Sequence, residues 1–194
     1  MKYLILKTKP GNGFCRVRTI KNVPDDYRLN TGESCVDGFP EDALFKMNDS
    51  FPKDIRLADS ISNISSLLVV SERFKAALEA VPGALLQNEV LPVKIVNHRG
   101  RTEKAPYFII HSVGYPPCID ETKSKGERSK LDPSQYQFMK KMVIDPKRVV
   151  PKDLMLFRAA QYPALPLVRS DLADDLRKRD LTGFELHEID KYEF

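Results

Sequence analysis

The apolar positions of this chain fall into short runs separated by polar, glycine-rich and proline-rich stretches, a pattern that predicts more sheet than helix. Residues 2–8 and 14–20 read as a first hairpin. Cys15, Val17 and Thr19 alternate with Arg16 and Arg18, which sends one face inward and the arginines outward, and Pro10-Gly11-Asn12-Gly13 supplies turn chemistry between the two runs. Residues 22–52 are rich in Asp, Gly, Pro and Asn with no sustained period, which predicts loops and short turns in a mobile or partner-facing excursion rather than a packed element.

The most informative pattern is an internal repeat. Leu67-Leu68-Val69-Val70 is a short β-type run, Ser71 stands where an N-cap belongs, and Phe74, Ala77, Leu78 and Val81 share one helical face. Gly83 closes that helix, and residues 90–96 resume as a strand. Later, Leu167-Val168 leads in, Leu172 and Leu176 match Phe74 and Leu78, Thr182-Gly183 ends the helix, and residues 184–189 follow as a strand. Val168 lies 98 positions after Val70, Leu172 98 after Phe74, and Leu176 98 after Leu78, so the register holds through the helix. Where the repeat of Ser71 falls the chain has Arg169, which leaves Ser170 to cap one residue later. Between the units, residues 106–113 read as a buried strand entered through a proline, and residues 120–134 as a polar loop.

Composition keeps this picture globular: 194 residues, 42% hydrophobic and 30% charged. The 31 Lys plus Arg against 27 Asp plus Glu leave only +4, much weaker than the basic stripe of a dedicated DNA binder. No apolar run approaches the roughly 20 residues of a membrane helix. Only four apolar residues, Tyr3 to Leu6, stand between Lys2 and Lys7, too few for the roughly 7–15-residue core of a secretory signal, so a cytoplasmic location is expected. Cys15, Cys35 and Cys118 are odd in number and widely spaced, and read as reduced thiols.

Candidate chemistry adds little. There is no Gly-Lys-Ser/Thr phosphate loop and no Gly-x-Ser-x-Gly elbow, and His98, His111 and His187 lack the spacing that would turn two imidazoles toward one metal. His111 and His187 fall in expected strands and read as structural. Neither Cys15 nor Cys118 opens a helix whose N-terminus would lower a thiol pKa. Neither a catalytic group, a metal nor a cofactor is expected. Charge is polarised along the chain: residues 121–160 hold ten basic and five acidic residues, net +5, while residues 180–194 carry net −4. The basic stretch has only Tyr136, Phe138 and Phe157 for stacking and reads as a solvated loop.

These pieces together resemble the eleventh immunity-protein family of bacterial polymorphic-toxin systems. The likeness rests on Leu57-Ala58-Asp59-Ser60, on Leu68-Val69-Val70-Ser71-Glu72-Arg73-Phe74, on Phe108-Ile109-Ile110 leading to Cys118-Ile119-Asp120, on Leu156-Phe157-Arg158-Ala159-Ala160, and on Pro166-Leu167-Val168 through Leu181-Thr182-Gly183-Phe184-Glu185. It covers the chain from about residue 57 onward. It implies a cytoplasmic protein that neutralises a cognate toxin domain, in several such loci a nuclease, by direct contact.

The expected fold is α+β, mainly sheet with a few packed helices and the strand-helix-strand unit used twice. Residues 1–56 would carry the hairpin and irregular segment and residues 57–194 the immunity-type region, in one domain. With Leu172 and Leu176 facing inward, Asp171, Asp174 and Asp175 fall on outer or flanking sides, and Glu188, Asp190 and Glu193 follow nearby in the chain. These six acids are the candidate toxin contacts, since a nuclease cleft is cationic or metal-loaded. Residues 22–52 and the 121–134 loop are the next places to look. Neither a membrane nor direct nucleic acid is an expected partner. The competing readings are a nucleic-acid-binding accessory protein using residues 121–160, and an enzyme whose groups converge only in space.

Overall fold

Runs that are apolar at every residue become strands covered on both faces, and they fix the architecture. A computed structural model describes all residues, Met1–Phe194. The strands are β1 (Tyr3–Thr8), β2 (Arg16–Lys21), β3 (Leu44–Met47), β4 (Ser60–Asn63), β5 (Leu68–Ser71), β6 (Asn88–Val96), β7 (Tyr107–Ser112), β8 (Lys125–Arg128), β9 (Tyr136–Lys141), β10 (Leu156–Ala159), β11 (Tyr162–Arg169) and β12 (Phe184–Glu188). Two helices, α1 (Glu72–Glu79) and α2 (Ser170–Arg177), complete a mainly β, α+β fold. Strands β2, β3, β6, β7, β5 and β4 close into a barrel, β10, β11, β1 and β12 form a four-stranded sheet, and β8 with β9 forms a separate ribbon.

The strand-helix-strand unit is indeed used twice, as β5-α1-β6 and β11-α2-β12, and the pairing extends the likeness further. In each unit the two strands are parallel and flank an antiparallel strand, β7 in the first and β1 in the second. Phe108 of β7 lies between Val70 and Pro92, and Leu4 of β1 lies between Val168 and Glu188. Tyr107-Phe108-Ile109-Ile110 and Tyr3-Leu4-Ile5-Leu6 therefore hold equivalent places. The first unit takes its middle strand from the segment that follows it, the second from the opposite end of the chain.

Both helices bury their apolar stripes in one core between barrel and sheet. Phe74, Ala77 and Leu78 of α1 meet Leu172, Ala173 and Leu176 of α2, with Leu68, Val70 and Ile110 from the barrel and Leu4, Leu6, Leu156 and Val168 from the sheet. The barrel interior is a second core around Phe45, Ile61, Val69, Ile95 and Ile109. Tyr3, Ile5, Leu167 and Phe157, on the other face of the sheet, build a third with Tyr136, Met139 and Leu154. Strands β1 and β5 are thus covered on both sides, which explains their unbroken apolar text.

Several expectations are corrected. β1 and β2 make no hairpin: β1, buried from Tyr3 through Leu6, takes the interior of the four-stranded sheet, while alternating β2 joins the barrel wall. A register shift between Val17 and Ile20 then turns Ile20 inward and leaves Thr19 exposed. Arg16 does not project freely but lies half-buried, 4.0 Å from the Phe51 ring centroid. Residues 22–52 do contain a packed element, because β3 sends Phe45 and Met47 into the barrel core. Four residues were too few to show a period. The 120–134 stretch is not all loop, since β8 pairs with β9. α1 begins as the spacing predicts, with Ser71 Oγ accepting the Phe74 amide at 3.3 Å, but ends at Glu79, before Gly83. α2 ends at Arg177, before Thr182-Gly183, and Ser170 does not cap it. Arg169 holds the N-cap position, while Asp171 Oδ1 accepts its neighbour's amide, from Leu172, at 3.0 Å.

The early residues of the resemblance meet the late ones at the Asp59 carboxylate, which is only 5% exposed. It accepts the Ser71 hydroxyl at 2.8 Å and both the amide and hydroxyl of Thr182 at 2.9 Å, with Arg73 Nη1 at 3.5 Å. The Ser60 amide donates to the Thr182 carbonyl at 3.0 Å, and Arg73 Nη2 to the Asp180 carbonyl at 2.7 Å. Gly183, at φ +84°, follows so closely that an added Cβ would stand 2.1 Å from the Ser60 carbonyl oxygen. Thr182-Gly183 is therefore spent on joining the two units rather than on ending a helix.

Burial and the contacts that join the two units set the cost of four substitutions. Phe74→Ala should cost about 3–5 kcal/mol and Leu172→Ala about 2–5 kcal/mol of unfolding free energy, since both side chains are fully enclosed; denaturant titration measures each, and near-wild-type midpoints would show the shared helix core to be misplaced. Asp59→Ala should cost about 3 kcal/mol or more by orphaning the Ser71 and Thr182 donors at ~1–3 kcal/mol each. Gly183→Ala should exceed the about 1–2 kcal/mol of a left-handed alanine alone, because of the Ser60 contact.

Candidate partner-binding surface

The acids nominated from sequence do not form one patch. Asp171, Asp174 and Asp175 sit on α2, whose apolar face packs against the side of the sheet that carries Leu4, Leu6 and Val168. Asp190 and Glu193 lie in the C-terminal segment, which packs through Ile189, Tyr192 and Phe194 against the opposite side, with Tyr3, Ile5 and Leu167. The sheet stands between them. Glu188, opposite Leu4 on the edge strand β12, shares the α2 side.

Most of these acids already have partners. Arg169 grips Asp171 with two hydrogen bonds of 2.8 Å, and this contact holds the Asp171 carboxyl below its usual range. Asp174 pairs with Arg177 at 3.0 Å and Asp175 with Arg179 at 2.7 Å. Glu188 takes Lys191 at 3.0 Å and Lys2 at 3.3 Å, which lowers its carboxyl likewise. Asp190 and Glu193 are exposed and make no ion pair within 4.0 Å.

Groups that might have carried chemistry are dispersed or enclosed. His111 is buried, with Nε2 2.7 Å from the Glu33 carbonyl oxygen; His98 faces Asp49 at 3.5 Å, and His187 stacks edge-on against Tyr192. No group of three or more His, Cys, Asp or Glu side chains converges for a metal ion. Burial pushes the thiols of Cys15 and Cys118 up to about 12 and raises that of Cys35, so none is a ready nucleophile at neutral pH. No helix is long and apolar enough to cross a membrane.

The basic 121–160 stretch also divides. Arg158 is buried, donating to the carbonyls of Ser66 at 2.6 Å and of Pro163, which ties the sheet to the barrel. Arg128 lies 4.0 Å from the Tyr136 ring centroid and bonds Glu121 at 2.9 Å. Lys125, Lys130, Lys140 and Lys141 are exposed along the β8–β9 ribbon with no carboxylate within 4.0 Å, and Lys125 is directly opposite Lys141. Tyr136 and Met139 turn down into the third core, while Phe138 is 59% exposed and Leu131, in the connecting turn, is fully exposed. Sequence reasoning passed over Leu131; the available signal was one leucine set between Lys130 and Asp132-Pro133-Ser134, where turn chemistry leaves no core to enter.

The structure thus offers a scaffold with joined units, self-paired acids on α2 and an unneutralised basic ribbon. Comparison with curated proteins returns no match. A family model described as "Immunity protein family (Imm11)" matches residues 9–191, which takes in the barrel, both helices, the ribbon and strands β10, β11 and β12 of the four-stranded sheet, with β1 just upstream of the matched span. The match reaches well upstream of the segments that carry the resemblance, into β2 and β3 of the barrel, and spans far more than half of the sequence: the chain belongs to the Imm11 family of immunity proteins.

Proposed function

We propose that this chain binds a cognate bacterial toxin domain, a nuclease in the first instance, and neutralises it by direct protein–protein contact in the cytoplasm of the cell that makes the toxin. The family match over residues 9–191 carries this reading. The protein does no chemistry of its own in this role: inhibition requires a stable scaffold and a specific, desolvated contact surface, not a reactive constellation. In interbacterial competition such a protein acts stoichiometrically, so its affinity and association rate set protection.

Co-expression with the toxin domain encoded beside it should restore growth of cells that the toxin alone kills, and His98→Ala should leave that rescue intact. Lost protection by the folded His98→Ala protein would point to catalysis instead.

The six acids enter this proposal as the weaker contact surface, because Asp171, Asp174, Asp175 and Glu188 are already engaged by basic side chains of the same chain. Reversing Asp174 and Asp175 to Lys should therefore change toxin affinity by less than about threefold, the size of a rim-charge effect of roughly 0.5 kcal/mol. A larger, salt-sensitive slowing of association in a titration at two ionic strengths would return the α2 acids to the interface.

A further inference from the structure

We infer that the β8–β9 ribbon is the element that docks on the toxin, with Leu131 as its apolar anchor and Lys125, Lys130, Lys140 and Lys141 meeting an acidic surface of the partner outside any cationic substrate cleft. This rests on the reading of the chain as a toxin-binding protein and names the surface that does the binding.

The first argument is electrostatic. The acids of α2 and Glu188 have their charge answered within the chain, whereas these four lysines do not. Lys125 and Lys141 are a directly opposed cross-strand pair, an arrangement that weakens a two-stranded sheet unless an anion lies over it. Lys140 precedes Lys141, and Lys130 stands beside the tip. The opposing charges are the exposed Glu127 and the half-buried Asp132, and Asp132 is occupied by the Ser134 hydroxyl at 2.6 Å. The ribbon is thus a local excess of positive charge.

The second argument is preorganisation. The amides of Leu131 and Asp132 both donate to Ser129 Oγ at 3.2 Å, the Ser134 amide donates to Asp132 Oδ1 at 3.0 Å, and Arg128 Nη1 donates to the Ser134 carbonyl at 3.0 Å. A single exposed leucine on a loose loop would mean little. Here the turn is fixed, so seating Leu131 in a partner's pocket desolvates a side chain without the cost of ordering its loop. The base is fixed too: the Tyr136 amide donates to the Gln161 carbonyl at 2.7 Å, and Gly126 lets β8 approach so closely that a Cβ there would lie 2.3 Å from the Phe138 carbonyl oxygen.

The third argument concerns the mode of contact. The outer edge of β8 is unpaired, but the pairing steps over Lys140 and Gln137 of β9, bulges that increase the local twist of the two-stranded ribbon, and Lys125 on the β8 edge blunts it further. A partner strand cannot simply add there. The exposed side chains of Leu131, Phe138 and the lysines are what the ribbon offers, and they suit an acidic protein surface with an apolar depression.

The test measures affinity of the full chain for the purified toxin domain encoded beside it, at low and high salt. Leu131→Asp should weaken binding roughly tenfold or more, as expected for a buried anchor. Lys140→Glu/Lys141→Glu should slow association, with an effect that shrinks as salt is raised. Both variants alter exposed positions and should melt like the wild type, and a variant that melts early is replaced by Leu131→Ser or Lys140→Gln/Lys141→Gln. Wild-type binding that both folded variants retain would overturn the ribbon assignment alone, whereas no wild-type binding would overturn the toxin-binding reading beneath it. Titration with labelled duplex DNA and single-stranded RNA distinguishes the other class of partner: nucleic-acid binding lost in the double lysine variant, with toxin binding intact, would also overturn the assignment.

Discussion

A carboxylate enclosed by protein must find donors for its oxygens, and Asp59 finds them on both halves of the molecule. Ser71, the cap of the first helix, and Thr182, in the link to the last strand, are 111 positions apart, yet they bond the same side chain. Removing the acceptor would strand both at once, so the position of α1 on the barrel and the position of the β12 lead-in are not independent. Two further bonds cross the same divide, from Asn88 to the Leu156 carbonyl at 2.8 Å and from Arg158 to the Ser66 carbonyl. Each sets a polar side chain on a backbone carbonyl across the boundary between barrel and sheet, which gives geometric register that apolar contact alone does not supply.

Within that frame the two helices act as one structural layer. Neither eight-residue helix is long enough to be stable alone, and each gains its stability from the face it buries. Because Phe74 and Leu172 occupy equivalent first-turn positions and meet in one core, the repeat is a packing device: two similar units, each straddling an antiparallel strand, close their apolar faces on one another. The barrel and the third core then extend this contact on either side.

The distribution of charge follows from the same economy of partners. Acids on a short helix are stabilised by arginines one turn away, and α2 uses this arrangement twice. The ribbon, remote from those acids, keeps its lysines exposed while its Tyr136 and Met139 hold it to the body of the protein. For a member of an immunity family, whose task is recognition, unneutralised charge on a rigid support is a more useful resource than charge already engaged within its own chain.

Local chemistry by itself determined the elements that carry their own signal: the Ser71 cap, the helical faces of Phe74 and Leu172, the doubly apolar β5 text, and the order strand-helix-strand in both units. It also determined that no phosphate loop or metal-spaced histidine pair is written along the chain. What only the tertiary structure decided was partnership. Whether β1 pairs with β2 or with β11 and β12, whether Leu44 to Met47 is loop or barrel wall, and whether Thr182-Gly183 ends a helix or answers Asp59 depend on contacts between residues far apart in the chain. So does the fate of the acids, because helical spacing gives the side of α2 on which Asp174 and Asp175 lie but not that a sheet separates them from Asp190 and Glu193. Strand pairing and buried hydrogen bonds are long-range, and a period of two or 3.6 residues carries no information about which distant segment will satisfy them.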